Sequence, residues 1–199
     1  MIGSFYNDDD IKIAPNDLSK LFEKENPEAD DNIELYLKQR SLGNTAKARA
    51  LGKEFVSDML DCVWTKAPEK IDPALFDTQI KILFAYAVHR IIEDYSDNYI
   101  VANTAIGSFH EQLEQEDPEL FEALCDQTGF SMYLYAHRSG HENAESIGEI
   151  FASLCGAKDN EICVLLGESA YARFTGACAQ RMVNVGYRLS EIKEDEANG

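Results

Sequence analysis

The chain has 199 residues, 45% of them hydrophobic and 27% charged, and its 36 acidic and 18 basic side chains give a formal net charge of −18. This hydrophobic fraction excludes a wholly disordered chain, and no apolar run approaches the roughly 20 residues of a membrane span. So acidic a surface repels a phosphate backbone, which argues against nucleic-acid binding. Met1–Asp10 is acidic, whereas a secretion signal begins basic and then turns apolar. We therefore expect a soluble, acidic, cytoplasmic protein that binds neither nucleic acid nor membrane.

The sequence pattern divides the chain into three parts. Residues 1–31 are predicted to be an acidic, partly ordered segment with one short helix near Asp17–Glu25 and a weak strand candidate at Phe5–Ile13. Residues 32–193 are predicted to form a single all-α domain, because apolar residues recur there at spacings of three and four. Residues 194–199 are expected to fray, as polar chain ends commonly do.

Helix start and stop signals divide this domain into elements. Asp72-Pro73 and Asp117-Pro118 each combine an N-cap residue with a proline in the first turn, and each predicts a helix start. Gly43, Gly140 and Gly156 are predicted to end helices, because glycine readily adopts the left-handed conformation that closes a helix. The predicted helices are Asn32–Leu42, Thr45–Lys66 capped by Asn44, Pro73 to Tyr95, a restart at Asp97 that continues to Leu113, Pro118 to Gly129, Phe130–Ser139, Asn143–Cys155 and Asp159 to about Lys193.

The last helix is predicted to be the longest, and its apolar seam alternates steps of four and three, which is typical of bundle packing. The seam is Gly167, Tyr171, Phe174, Cys178, Met182, Val185, Leu189 and Ile192. The predicted fold class is all-α: a multi-helix bundle or an irregular helical-hairpin array with a long C-terminal helix.

Two windows of the chain resemble each other, and each predicts a short helix, a glycine turn and an amphipathic helix. Tyr36-Leu37, Gly43, Ala48, Gly52 and Phe55 align with Tyr133-Leu134, Gly140, Ala144, Gly148 and Phe151 when one residue is skipped after the turn glycine. The similarity indicates one of two things. It reflects either a helical-hairpin repeat that stacks into a binding surface, or the small residues that any two α-hairpins need at turns and close contacts.

The five cysteines lie in apolar helical contexts, without the close paired spacing of a disulfide framework or a zinc knuckle. They are Cys62, Cys125, Cys155, Cys163 and Cys178. We expect reduced thiols that pack as small hydrophobic side chains. Cys163, in the first turn of the predicted last helix, comes nearest to the setting of a reactive thiol, and it too is expected to be packed.

Each histidine has a carboxylate or another histidine four residues further on. The pairs are His89/Glu93, His110/Glu114, His137/His141 and His141/Glu145. Ligands at i and i+4 converge on one ion in metal-binding helical bundles. His110/Glu114 followed by His137/His141 resembles a fragment of the hemerythrin-like pattern, H-x-x-x-E and then H-x-x-x-H. The resemblance covers only these four residues, because no histidine follows His141 to supply the later H-x-x-x-x-D of that family.

Helix geometry favours structural roles for these histidines. At 100° per residue, His89 and Glu93 are predicted to lie opposite the apolar stripe of their helix, as a solvent-exposed pair. His137 lies on the apolar line of its helix and is predicted to be buried or half-buried. A helix end at Gly140 removes His141 from the i,i+4 geometry that a shared ion needs.

One basic run interrupts the acidity, and we call it the basic island. It consists of Lys38, Arg40, Lys47, Arg49 and Lys53, with no acidic residue between them. Arg49 and Lys53 lie one turn apart, on the face opposite the predicted core stripe. The island is interpreted as a docking surface for an acidic partner or for the acidic N-terminal segment of the chain itself, or as ordinary solvation of a helix.

Three catalytic patterns are absent from the sequence: the nucleophile elbow G-x-S-x-G, the phosphate loop G-x-x-x-x-G-K-[ST] and H-E-x-x-H. The expected function is therefore non-enzymatic: a helical protein that binds another protein or a second copy of itself, without a cofactor. The alternative is a metal-binding bundle or metal-dependent enzyme. Its ligands would be His110, Glu114, His137 and His141.

Overall fold

A computed structural model of the chain describes residues 27–62, 64, 66–126 and 128–186. These residues form eight α-helices and no strand, which confirms the all-α prediction and the long C-terminal helix. The helices are α1 (Pro27–Ser41), α2 (Asn44–Leu60), α3 (Pro73–Tyr95), α4 (Tyr99–Glu116), α5 (Pro118–Cys125), α6 (Thr128–Arg138), α7 (Ala144–Leu154) and α8 (Glu161–Val185). The helix expected near Asp17–Glu25, the strand candidate at Phe5–Ile13 and the tail 194–199 lie outside the described residues.

The chain divides into two compact units, with the boundary between Leu37 and Lys38, inside α1. Of the first unit the structure describes only the beginning of α1, where the side chains of Ile33 and Leu37 are exposed. The second unit comprises the end of α1 and helices α2 to α8.

Two cap signals in the sequence, Asp72-Pro73 and Asp117-Pro118, begin helices as predicted. Asp72 and Asp117 each accept a hydrogen bond from a backbone N–H in the first turn of α3 and α5, next to Pro73 and Pro118. Asn98 caps α4, one residue later than the predicted restart. Each such cap satisfies a backbone donor that the helix itself leaves unpaired.

Asn44 does not cap α2, and that prediction is wrong. The N-cap position is Gly43, with φ +78°, and no side chain caps this helix start. Asn44 is buried instead, where its amide nitrogen donates to the side-chain oxygen of Gln39 at 2.7 Å. A buried amide finds its hydrogen bond inside the protein because water is excluded there.

Glycines end α6 and α7 as predicted. Gly140 and Gly156 have φ of +71° and +68°. After α6, the N–H of Gly140 donates to the carbonyl of His137 and the next N–H to that of Ala136, which is the Schellman pattern. The same two bonds close α7 at Gly156. The chain therefore leaves both helices sharply.

Three helices end at least four residues earlier than predicted. α5 ends at Cys125 rather than at Gly129. α2 ends at Leu60 rather than at Lys66. α8 ends at Val185 rather than near Lys193, because Gly186 adopts φ +56°. A left-handed glycine closes a helix, whereas an apolar seam alone does not indicate where the helix stops.

α3 is the central helix. All seven residues from Ile82 to Val88 are buried, so α3 is covered on every side, and it packs against α2 and against α4 to α8. The outer helices pair with each other, α2 with α4 and α7 with α8. None of the described helices is long and apolar enough to cross a membrane.

The cysteines are thiols, and three of them, Cys155, Cys163 and Cys178, are buried as predicted. Burial raises the pKa of both Cys155 and Cys178 to about 12, which keeps these two protonated. Cys62 is half-buried. Cys125 is exposed, so the prediction that it packs is wrong: it ends the short helix α5, whose buried positions are taken by Leu120 and Leu124.

Candidate functional site

Four of the five side chains in the basic island are exposed. They are Lys38, Arg40, Arg49 and Lys53. Lys47 is half-buried, and its ammonium group donates to the backbone carbonyl of Gly186. Lys47 therefore ties α2 to the end of α8, while the other four remain accessible to solvent.

The four predicted metal ligands are not brought to one point. His110 lies against His89, whereas His137 lies against Glu142. The other two are exposed: Glu114 and His141. Within the part of the chain that the structure describes, no three His, Cys, Asp or Glu side chains are close enough to share a metal ion. The turn at Gly140 separates His141 from the i,i+4 position as expected.

A polar cluster surrounds the carboxylate of Glu142, which lies between α6 and α7. Its Oε1 accepts hydrogen bonds from the hydroxyls of Tyr86 at 2.7 Å and Tyr171 at 2.5 Å. Its Oε2 lies 2.6 Å from His137 Nδ1 and 3.3 Å from Arg90 Nε. Side chains from α3, α6 and α8 thus converge on one carboxylate, and we call these five residues the Glu142 cluster.

The local sequence explains why Glu142 lies there. Gly140 turns the chain out of α6, and Asn143 begins α7 with a capping box, in which Asn143 and Ser146 bind each other's backbone N–H. Glu142 is fixed between these two features. Its side chain is 15% exposed.

The surroundings of Glu142 favour its ionised form. Burial alone raises the pKa of this carboxyl, but hydrogen bonds from Tyr171, Tyr86 and His137 and the charge of Arg90 outweigh burial, so the pKa is lowered. Burial and the bond to this carboxylate raise the pKa of both tyrosines. Both carboxylate oxygens are already occupied by donors. The cluster therefore anchors the connection between α6 and α7 to α3 and α8, and it offers no vacant base.

Only one member of the Glu142 cluster was identified from the sequence. His137 is half-buried, which confirms the prediction made for it. Tyr171 lies on the apolar seam of α8, and Tyr86 lies within the apolar run from Ile82 to Val88. Both patterns are typical of core packing and say nothing about a hydroxyl partner. Glu142 lies between a turn glycine and an N-cap residue. At such a position the sequence does not indicate whether a carboxylate points inward or into solvent.

A second cluster, the histidine pair, joins α3 to α4. The Nε2 atoms of His89 and His110 lie 3.0 Å apart, and the ring centroids lie 4.9 Å apart. Phe130 meets the His89 ring edge-on at 4.9 Å, and Phe121 lies 6.2 Å from His110. Burial, and secondarily the neighbouring histidine, lower the pKa of His89 to about 3, and burial lowers the pKa of His110. Both rings are therefore neutral near pH 7.

The prediction that His89 and Glu93 form a solvent-exposed pair is wrong. Glu93 is exposed but lies 3.4 Å from the guanidinium of Arg90. The ring of His89 packs against Phe109 and Phe130. The prediction assumed that α3 buries one stripe. The unbroken apolar run from Ile82 to Val88 extends beyond that stripe, and such a run indicates a helix that is covered on all sides.

A groove of about 670 Å³ lies between α7 and α8, and we call it the acidic groove. Five carboxylates and one ammonium group line it: Glu145, Glu149, Asp159, Glu161, Glu168 and Lys158. Val164 and Leu165 supply its apolar surface, and Leu165 is 59% exposed. Ile162, three residues before Leu165 on the same helix, is 64% exposed. The groove thus combines accessible apolar groups with a strongly negative rim.

No family model, no curated protein and no solved structure matches this chain.

Proposed function

We propose that the chain is a protein-binding module whose acidic groove takes a basic amphipathic segment of another protein. The observation that carries this proposal is the exposure of Leu165 among the five carboxylates of the groove, with Ile162 also exposed three residues earlier on α8. Exposed apolar groups rimmed by polar residues are typical of protein-binding surfaces. A helix bound in a groove supplies apolar anchors at spacings of three and four residues.

Charge determines which partner fits. The carboxylates of the groove attract positive side chains and repel an acidic segment, and this long-range attraction speeds the encounter of the two molecules. The apolar contact with Leu165 then supplies binding energy that charge alone does not provide, because each Å² of apolar surface removed from water contributes about 25 cal/mol. The partner therefore needs both lysines or arginines and an apolar stripe.

The basic island of a second copy satisfies only half of this requirement. It has the right charge, but α2, which carries Lys47, Arg49 and Lys53, exposes no large hydrophobic side chain, and the exposed Leu37 beside the island lies on α1. Next to its basic residues α2 presents the alanines Ala46 and Ala50. We therefore assign the groove to a different protein, and self-association through the island is the competing outcome.

A synthetic peptide tests the proposal. The probe is a fluorescent 18-residue peptide of leucine and lysine with leucines at i, i+3, i+4 and i+7, and the control peptide has the same composition in an order without helical periodicity. We expect the amphipathic peptide to bind at least about tenfold more tightly than the control, and added salt to weaken binding. Fluorescence anisotropy measures both affinities.

Matched variants locate the binding site. Leu165→Ser and Glu149→Lys are expected to weaken binding about tenfold each, whereas Val183→Ser, on the same helix outside the groove, and Glu111→Lys, on α4, leave it within about twofold. Equal binding of the two peptides, equal loss in the control variants or no binding at millimolar peptide contradicts the proposal. A chain that dimerises in light scattering, and that becomes monomeric when Arg49 and Lys53 are reversed to glutamate, supports the second copy instead.

A further inference from the structure

The histidine pair lies between two consecutive helices. Only residues 96–98 connect α3 to α4. His89, on α3, and His110, on α4, face each other with Nε2 atoms 3.0 Å apart. Each ring thus directs the same nitrogen at one shared point.

Two neutral imidazoles in this arrangement present the donor atoms of a metal site. In the absence of an ion, the Nε2–H of one ring donates a hydrogen bond to the Nε2 of the other ring. Zn²⁺ binds imidazole nitrogen at about 2.0–2.1 Å, so a tetrahedral ion bound to both rings needs nitrogens about 3.3–3.4 Å apart. The observed pair has to open by only a few tenths of an ångström to admit an ion, and the ring that donates from Nε2 has to carry its proton on Nδ1 instead.

The aromatic side chains around the pair disfavour a second proton. Phe109, Phe121 and Phe130 border the two rings. Their apolar surface disfavours an isolated imidazolium, because a charge without a partner is costly in such surroundings. Both rings therefore stay neutral, which is the form of imidazole that binds a metal ion.

Glu114 is the carboxylate best placed to complete the set. It lies one turn after His110 on α4, and helical side chains lean towards the N-terminus, so Glu114 leans towards His110. It is exposed and therefore able to rotate. Glu93 has the equivalent position after His89 but lies against Arg90. In the described conformation no third ligand is within reach, so ion binding has to draw the carboxylate inward.

We propose that His89 and His110 bind one divalent transition-metal ion of the Zn²⁺ class, with Glu114 as the third ligand and water as the fourth. Nitrogen ligands select this class over Mg²⁺ and Ca²⁺, which prefer oxygen. The site shares His110 and Glu114 with the set predicted from the sequence and replaces its other two histidines with His89. It is independent of the acidic groove, which lies between α7 and α8.

Titration of the metal-free full-length chain with Zn²⁺ tests the proposal. We expect one ion per chain by calorimetry, a rise in melting temperature with Zn²⁺ but not with Mg²⁺, and visible d–d bands of tetrahedral cobalt when Co²⁺ is added. His89→Gln and His110→Gln are expected to weaken Zn²⁺ binding at least about 100-fold, and Glu114→Gln about tenfold. His141→Gln, an exposed histidine outside the site, leaves binding unchanged.

A measurement on the unaltered protein covers the case in which a histidine variant fails to fold. The chain has four histidines, and nitrogen-15 spectra of their rings distinguish them. Zn²⁺ should shift the Nε2 signals of His89 and His110 and leave those of His137 and His141 in place. A shift of the other pair, binding that survives His89→Gln, or no binding at 100 µM Zn²⁺ at pH 7 overturns the proposal.

Discussion

In both the α2/α4 pair and the α7/α8 pair, a glycine lies where the two helices touch, but the two pairs present different surfaces. A Cβ on Gly52 would lie 2.4 Å from the carbonyl oxygen of Ala105, and one on Gly148 would lie 2.6 Å from that of Val164. Both distances are far below contact distance, so only glycine permits the observed approach.

The two pairs differ in what surrounds the contact. Beside Gly52, the buried hydroxyl of Ser108 donates to the backbone carbonyl of Arg49 at 2.9 Å. Beside Gly148, the helices open into the acidic groove, with Leu165 exposed. The aligned glycines, Gly52 and Gly148, are therefore packing positions, whereas the aligned Leu37 and Ala144 are exposed. What distinguishes the pairs, the carboxylates and the exposed leucine, does not occupy any aligned position.

The largest expected effect is the loss of stability caused by a methyl group at either contact. Gly52→Ala should cost about 3 kcal/mol and Gly148→Ala about 2 kcal/mol, measured by urea unfolding. The cost is greater at Gly52 because its Cβ meets two backbone atoms, whereas at Gly148 one of the two nearest atoms belongs to the flexible side chain of Glu168. A larger cost at Gly148 than at Gly52 would show that the two contacts do not differ as we describe.

The next largest effect concerns Glu142, which anchors the beginning of α7 in the α7/α8 pair and has no counterpart in the α2/α4 pair. Glu142→Gln should cost about 2 kcal/mol at pH 7, because it removes a charged acceptor from four donors. Glu145→Gln, an exposed residue in the first turn of α7, is the control and should change the free energy of unfolding by less than about 0.5 kcal/mol.

The effect of Glu142→Gln depends on pH. The folded-state pKa of Glu142 is lowered, so its stabilisation is present above the unfolded pKa near 4.3 and is lost as the pH falls through the lower folded value. The difference between the unaltered chain and the variant should therefore shrink from pH 7 to pH 3.5 in urea unfolding. A difference that stays constant or grows on acidification contradicts an ionised anchor.

The fold class and several helix starts and turns were predictable because local rules govern them, and the sites were not because they depend on long-range contacts. Asp72, Asp117 and Gly140 act within a few residues of themselves, and their caps and turns appear as predicted. His89 and Glu142 meet partners 21 and 56 residues away. No periodicity within one helix encodes such a meeting, since it depends on which helices lie side by side.

A smaller effect distinguishes two stacked tyrosines near α7. The rings of Tyr86 and Tyr133 lie 5.1 Å apart, but only Tyr86 has a hydrogen-bond partner, Glu142, while the buried hydroxyl of Tyr133 has none among the described residues. Tyr86→Phe should cost about 1 kcal/mol and Tyr133→Phe should be neutral or stabilise by up to about 1 kcal/mol. Equal losses in thermal and urea unfolding would mean that Tyr133 has an acceptor that the described contacts lack.

The smallest effect tests whether glycine matters only where backbones touch. Gly107 lies in α4 and Gly176 in α8, so each pairing has one such glycine in the partner helix. A Cβ on either would meet nothing within 4 Å. Gly107→Ala and Gly176→Ala should therefore each stabilise the chain by about 0.5–1 kcal/mol, because alanine loses less backbone entropy than glycine in a helix.

Gly107 lies two residues before Phe109, whose backbone nitrogen a Cβ on Gly52 would meet. A gain at Gly107 beside a loss at Gly52 would show that the close approach is confined to one face of α4, whereas a loss at Gly107 would mean that α2 and α4 need small residues around the whole turn.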